Sequence, residues 1–179
     1  MKTKEVPVLL LTGYLGSGKT EDLKSYISQY RMTLPPDVAR TWCENYAVNT
    51  IVCSYAEEAR KAGIDFSVRL ELPKQLSINE AELCSILGNL LENALDACRE
   101  CTDTAPFIRI RAREEGGHIA LAVDNTCCRA PMEENGRFRS SKHEGFGSGT
   151  ASVRSIVQRY QGVTEFHYKD HIFFASVFL

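Results

Sequence analysis

The chain lacks a long hydrophobic run, a signal-peptide cleavage pattern at its start, a basic cluster and an internal repeat. A membrane-crossing helix needs about 20 apolar residues in succession, and the longest stretches here fall far short, so no membrane contact is expected of this sequence. Lys and Arg are dispersed, the formal net charge is -2 and the isoelectric point is near 6.1. That balance excludes the electrostatic footprint of a nucleic-acid binder. Cysteine is not scarce, but the seven present (Cys43, Cys53, Cys84, Cys98, Cys101, Cys127, Cys128) are odd in number and sit mostly in apolar periodic segments. Such usage suits a reducing cytoplasm. Beside Cys98-x-x-Cys101 there is no second pair at zinc-finger spacing, and vicinal Cys127-Cys128 is a poor chelate, so structural zinc is not expected.

What is there, 179 residues with 44% hydrophobic and 25% charged side chains, is enough for one sizeable core. After Pro35-Pro36 the patterning is regular. "CENYAVNTIVCSYAEEARKAG" sets Val48, Ile51, Val52, Tyr55 and Ala59 on one helical face, with Gly63 as its cap. "IDFSVRLELP" alternates as a half-buried strand does. Ser77-Ile78-Asn79-Glu80 is a capping box ahead of a long helix ending near Glu100. "FIRIRARE" and "HIALAVDN" form a hairpin across Glu114 to Gly117. A Gly-, Ser- and charge-rich loop follows from Thr126 to Gly149, then the helix "TASVRSIVQRYQG" and a closing hairpin. This order predicts an α+β two-layer α/β sandwich, a mixed and mainly antiparallel sheet with helices on one face.

The long helix carries the chemistry. Wound at 100° per residue, Asn89, Asn93, Asp96 and Glu100 share a narrow stripe, while Leu87, Leu90, Leu91, Ala94, Leu95 and Cys98 fill the opposite arc. A merely solvated face favours Lys, Glu and Arg, because Asn is a poor helix former. Carboxamide oxygens suit Mg²⁺, which takes oxygen ligands and keeps phosphates and waters in the rest of its shell. Downstream, Asp124 ends a strand in "VDNT", where it can accept from an exocyclic amine such as adenine's. Gly145, Gly147 and Gly149 open a helix in "GFGSGT", where backbone amides can approach phosphate.

Asn helix, Asp strand and glycine loop, in that order, resemble the Bergerat-fold (GHKL) ATPases, the group of DNA gyrase, the ninety-kilodalton heat-shock chaperones, mismatch-repair ATPases and sensor histidine kinases. "GNLLENALDA" resembles the N box, "VDNT" the first glycine box with Thr126 where Gly is common, and "GFGSGTASVRSIV" the second, with Thr150 where Leu is usual. The closest flavour is the quorum-sensing and citrate-sensor type of histidine kinase. The hydrolytic members carry Glu where Asn89 stands, so the resemblance implies a kinase that passes the γ-phosphate of ATP to a histidine. It implies Asn93 as principal Mg²⁺ ligand, Asn89 at the metal and phosphates, Asp96 lining the pocket through water and Asp124 on adenine, with Thr126, Gly145, Gly147, Gly149 and Thr150 around the nucleotide. It also implies as partners a histidine-bearing dimerisation domain and a response regulator, in the cytoplasm or as the cytosolic part of a membrane-anchored sensor. Of the four histidines, His118, His143, His167 and His171, none precedes Pro35, where an acceptor helix is expected.

One stretch stands apart. "VPVLLLTGYLGSGKT" carries a complete phosphate loop from Gly13 to Thr20 and resembles the start of the cobalamin-synthesis W-type GTPases. The parallel units that such a loop requires do not follow. The expected organisation is therefore a foreign or fusion-derived leader at 1–20, the end of a dimerisation or linker helix at 21–36, and an ATPase domain at 37–179. The rivals are an anti-sigma-type serine kinase or switch of the same fold, and a P-loop GTPase remnant or non-catalytic interaction module.

Overall fold

The computed structural model describes residues 41–102, 105–134, 137–138 and 148–179. The phosphate loop from Gly13 to Thr20, the 21–36 segment, and residues 135–136 and 139–147 of the glycine- and charge-rich loop, Gly145 and Gly147 among them, lie outside them. Helix α1 (Tyr46–Lys61) begins where the Asn45 side chain accepts from the Val48 amide at 3.0 Å. It closes at Ala62, with Gly63 following at φ +69°, a left-handed turn that glycine adopts without strain. Asn45 is fully buried, and its Nδ2 donates to Lys74 O at 3.1 Å and Glu80 Oε1 at 2.8 Å. The start of α1 is thereby tied to the approach of the next helix.

Strand β1 (Asp65–Glu71) alternates exposed and half-buried residues, with Phe66, Val68 and Leu70 against the core. Helix α2 (Glu80–Arg99) is capped by Asn79 and not by Ser77: Asn79 Oδ1 accepts from the amides of Ala81 at 2.9 Å and Glu82 at 3.3 Å. The expected Ser77 box is not used because Glu80, its other half, is engaged by Asn45. Glu82 in turn bonds Tyr160 and Arg159, holding the front of α2 to the end of helix α3 (Ser148–Arg159).

Strands β2 (Phe107–Glu115) and β3 (His118–Thr126) turn through Gly116 and Gly117 at φ +62° and +84°, the two positive-φ positions of a tight type I′ hairpin. A short antiparallel ladder of β4 (Glu133–Glu134) and β5 (Arg137–Phe138) follows, then α3, β6 (Val163–Lys169) and β7 (Ile172–Phe178). The main sheet runs β1-β2-β3-β7-β6 and is antiparallel except for β1 against β2. That pair is parallel because α2 carries the chain back across the sheet between them.

Ile108, Ile110, Ala112, Ile119, Leu121, Val123, Ala175 and Val177 face the helices and are buried, while Arg109, Arg111 and Arg113 stand exposed on the other face. The α+β two-layer sandwich with helices on one face is therefore the observed fold. Among the described residues no helix is long and apolar enough to cross a membrane.

One feature departs from the reduced cysteines expected: Cys101 and Cys128 form a disulfide, with Cα atoms 5.5 Å apart. They meet because the end of α2 and the exit of β3 converge at one end of the sheet. Cys43, Cys53, Cys84, Cys98 and Cys127 are in no disulfide.

After α3 the chain passes so close to β7 that a Cβ on Gly162 would lie 2.1 Å from Phe178 O and 2.9 Å from Val157 Cγ1. A backbone oxygen in a sheet cannot swing aside, so the strands or the helix must shift. Gly162→Ala is expected to cost about 2–3 kcal/mol, read as a lower urea midpoint at unchanged slope.

Candidate functional site

The apolar seam of α2, from Leu83 and Ile86 through Leu91 to Cys98, is buried against the sheet and the other helices. Packing of that seam leaves Asn89, Asn93 and Asp96 on the opposite side, Asn89 and Asp96 half-buried and Asn93 exposed. Asn89 Nδ2 donates to Ser85 O at 2.8 Å, which fixes the carboxamide against its own helix. Asp96 lies 3.8 Å from Arg99. Glu92 is exposed, a residue away from the ladder.

The first turn of α3 descends onto this ladder. A Cβ on Gly149 would lie 3.1 Å from Asn89 Oδ1, 3.2 Å from Asn93 Nδ2 and 3.6 Å from Asn93 Oδ1. The glycine and the two asparagines, far apart in the sequence, thus form one cluster of amide groups at a helix N-terminus, where the backbone presents free N–H donors and the positive end of its dipole. Thr150 follows, half-buried in the same turn.

Strand β3 supplies a surprise of parity. Ile119, Leu121 and Val123 point to the helix layer, so Asn125 continues the inner row and is 3% exposed. Its Nδ2 donates to Thr126 O at 2.9 Å. Asp124, expected on the base, belongs to the outer row: it lies opposite Arg109 and Phe174 in register and accepts from Arg111 at 2.5 Å on the open face of the sheet. The sheet itself separates it from the Asn89–Asn93 ladder. Thr126 is likewise committed to the frame, its hydroxyl accepting from the Phe107 amide at 3.0 Å and closing the start of β2. The alternation of Ile119, Leu121 and Val123 puts Asn125, which the sequence reading does not single out, on the inner row.

Amide oxygens on α2, amide nitrogens at the start of α3 and a buried carboxamide on the inner row of β3 make a donor and acceptor set suited to a nucleotide with its metal. Residues 78–179 match the family described as the GHKL domain. The chain belongs to the GHKL family. It is 39% identical over 114 residues to the C4-dicarboxylate transport sensor protein DctB of Rhizobium meliloti, covering 60% of this chain and 18% of that protein. It is 28% identical to the two-component sensor PhoQ of Pseudomonas aeruginosa over 78% of this chain and 29% of the other, and 27% identical to the sensor histidine kinase NatK of Bacillus subtilis over 73% and 43%. The chain thus spans less than half the length of these curated relatives.

Among solved structures, the nucleotide-free catalytic domain of histidine kinase ThkA superposes with a TM-score of 0.59 at 19% identity, over 74% of this chain and 89% of that one. Full-length ShkA, determined with AMPPNP, gives 0.56 at 19% identity, over 74% and 28%. The GHKL chain is an ATP-binding catalytic domain of the kind found in sensor histidine kinases.

Gly149 separates folding from binding. In Gly149→Ala the added methyl meets only the ends of two flexible side chains, and alanine favours the helix, so stability is expected to stay within about 1 kcal/mol. Displacing both carboxamides should weaken ATP more than tenfold and adenosine far less, as read by calorimetry on the two ligands.

Proposed function

We propose that this GHKL domain binds MgATP between α2, the start of α3 and the inner end of β3, and donates the γ-phosphate to a histidine on a separate dimerisation domain. The observation that carries the reading is the seat of Gly149 on the Asn89–Asn93 pair: a space only a glycine leaves open, edged by the ligand type that Mg²⁺ takes. In this reading Asn93 is the principal metal ligand, Asn89 assists at metal and phosphates, and Asp96 lines the pocket through water. Gly145, Gly147, Gly149 and Thr150 bring backbone amides to the phosphates. Bound Mg²⁺ would neutralise charge on the phosphoryl group being transferred.

Base recognition passes from Asp124 to Asn125. Its Nδ2 is held by Thr126 O, so its Oδ1 faces the pocket as an acceptor for adenine's exocyclic amine, where guanine carries the O6 acceptor instead. The frame around it, Thr126 on Phe107 and Cys98 on Thr126, holds that end of the strand still.

The type of sensor is proposed to be the quorum-sensing or citrate-sensor kind, working in the cytoplasm with a response regulator downstream of the acceptor histidine. Residues 1–20 are proposed to be a leader without a part in this site, 21–36 the end of a linker helix and 37–179 the catalytic domain.

Two measurements test the site. Asn93→Ala should lose detectable MgATP binding while keeping its melting temperature, whereas Lys19→Ala should bind within about twofold of the parent, a change under roughly 0.5 kcal/mol. Loss in the Lys19 variant with retention in the Asn93 variant would transfer the site to the phosphate loop. For the base, Asn125→Ala should weaken MgATP at least tenfold and erase the preference over MgGTP. Asp124→Ala, which removes the ion pair with Arg111 on the other face of the sheet, should change neither affinity nor preference by more than about twofold.

A further inference from the structure

Four cysteines meet at one corner of the domain: Cys98 and Cys101 at the end of α2, Cys127 and Cys128 just past β3. They are of two kinds. Cys98 and Cys127 are buried, and their Sγ atoms donate to backbone carbonyls: Cys98 to Phe107 at 3.3 Å and Thr126 at 3.4 Å, Cys127 to Arg129 at 3.0 Å. Burial pushes the Cys98 thiol up to about 11 and raises that of Cys127, so neither is a thiolate at neutral pH. Cys101 and Cys128 are half-exposed and joined to each other. A soluble thiol can reach that bond and not the buried pair.

The bond has a particular location. It joins the helix that carries Asn89 and Asn93 to the exit of the strand that carries Asn125. Other side-chain ties at this junction include a sulfur donor from Cys98 to Thr126 O, and Arg129 at 4.0 Å from Glu100, the last two exposed at the surface. The disulfide is the covalent link between the two halves of the proposed nucleotide site at this end.

We propose that Cys101 and Cys128 are a reversible redox pair that sets the affinity of the nucleotide site, tight as the disulfide and weak as two thiols. The proposal rests on the MgATP reading above. In the reducing direction a thiolate of a dithiol reductant attacks one sulfur and releases the other as a thiolate. The reductant's second thiolate then displaces the mixed disulfide, leaving two protein thiols and a cyclic disulfide. Two electrons and two protons pass to the protein. A low-molecular-weight disulfide reverses the exchange.

The test equilibrates the full chain in buffers of graded ratio of dithiothreitol to its oxidised form. The state of each cysteine is mapped by alkylation and mass spectrometry, and the affinity for Mg-AMPPNP is measured at each ratio. A single two-electron transition at Cys101 and Cys128 is expected, with affinity falling fivefold or more on reduction and recovering on reoxidation. Cys128→Ser should bind as the reduced parent does at every ratio; the titration of the parent decides the matter if that variant fails to fold. Affinity equal within twofold in the two states, or a bond that never reduces or never forms, overturns the proposal. Absence of binding in both states overturns the MgATP reading with it, whereas equal binding in both overturns the redox proposal alone.

Discussion

The arrangement depends on the packing of one helix face. Each fully buried Leu or Ile on the seam of α2 contributes about 1.5–3 kcal/mol, and the seam runs the length of the helix from Leu83 to Cys98. With that side committed to the core, rotation of α2 about its own axis is forbidden. The Asn89–Asn93 pair can then be small, polar and poorly suited to a helix, because its position is enforced by residues on the far side. A binding ladder of weak helix formers is tolerable only on a helix that the core holds.

Most of the architecture is legible from alternation and helical spacing. Val48, Val52 and Ala59 mark α1, the hairpin turn announces itself at Gly116-Gly117, and the stripe of asparagines is visible before any coordinate. What is not legible follows from two physical facts. In a strand, neighbours point to opposite faces, so Asp124, chosen for its charge, stands on the outer row of the sheet and Asn125 on the inner one. Cysteine spacing says nothing of which sulfurs meet, because Cys101 and Cys128 are brought together by the convergence of a helix end and a strand end. The displaced cap has a third cause: Ser77 loses its expected partner because Glu80 finds a buried Asn45.

Asparagine is used in this domain in opposite ways. Asn45 and Asn79 lie where the backbone needs a donor or acceptor, and Asn45 is fully enclosed with both polar atoms of its side chain answered. Asn89 and Asn93 offer oxygen at a surface edged by glycine. Residue type alone does not divide the two groups; burial and the row each side chain occupies do. The same division runs through the carboxylates, with Glu82 consumed by Tyr160 and Arg159 and Asp124 by Arg111.

The strand order carries a consequence for how the chain folds. The hairpins β2–β3 and β6–β7 pair residues near in sequence and can form in microseconds. The parallel contact of Asp65 with Phe107 and the antiparallel contact of Ala120 with Phe178 must wait for long intervening segments to be gathered in. Asn125 sits on β3, where the two hairpins dock, and the asparagine ladder sits on the crossover that the parallel pair requires. The proposed nucleotide pocket is thus assembled from contacts between segments distant in sequence. It comes into being late on the route to the native state, after the local strands that frame it.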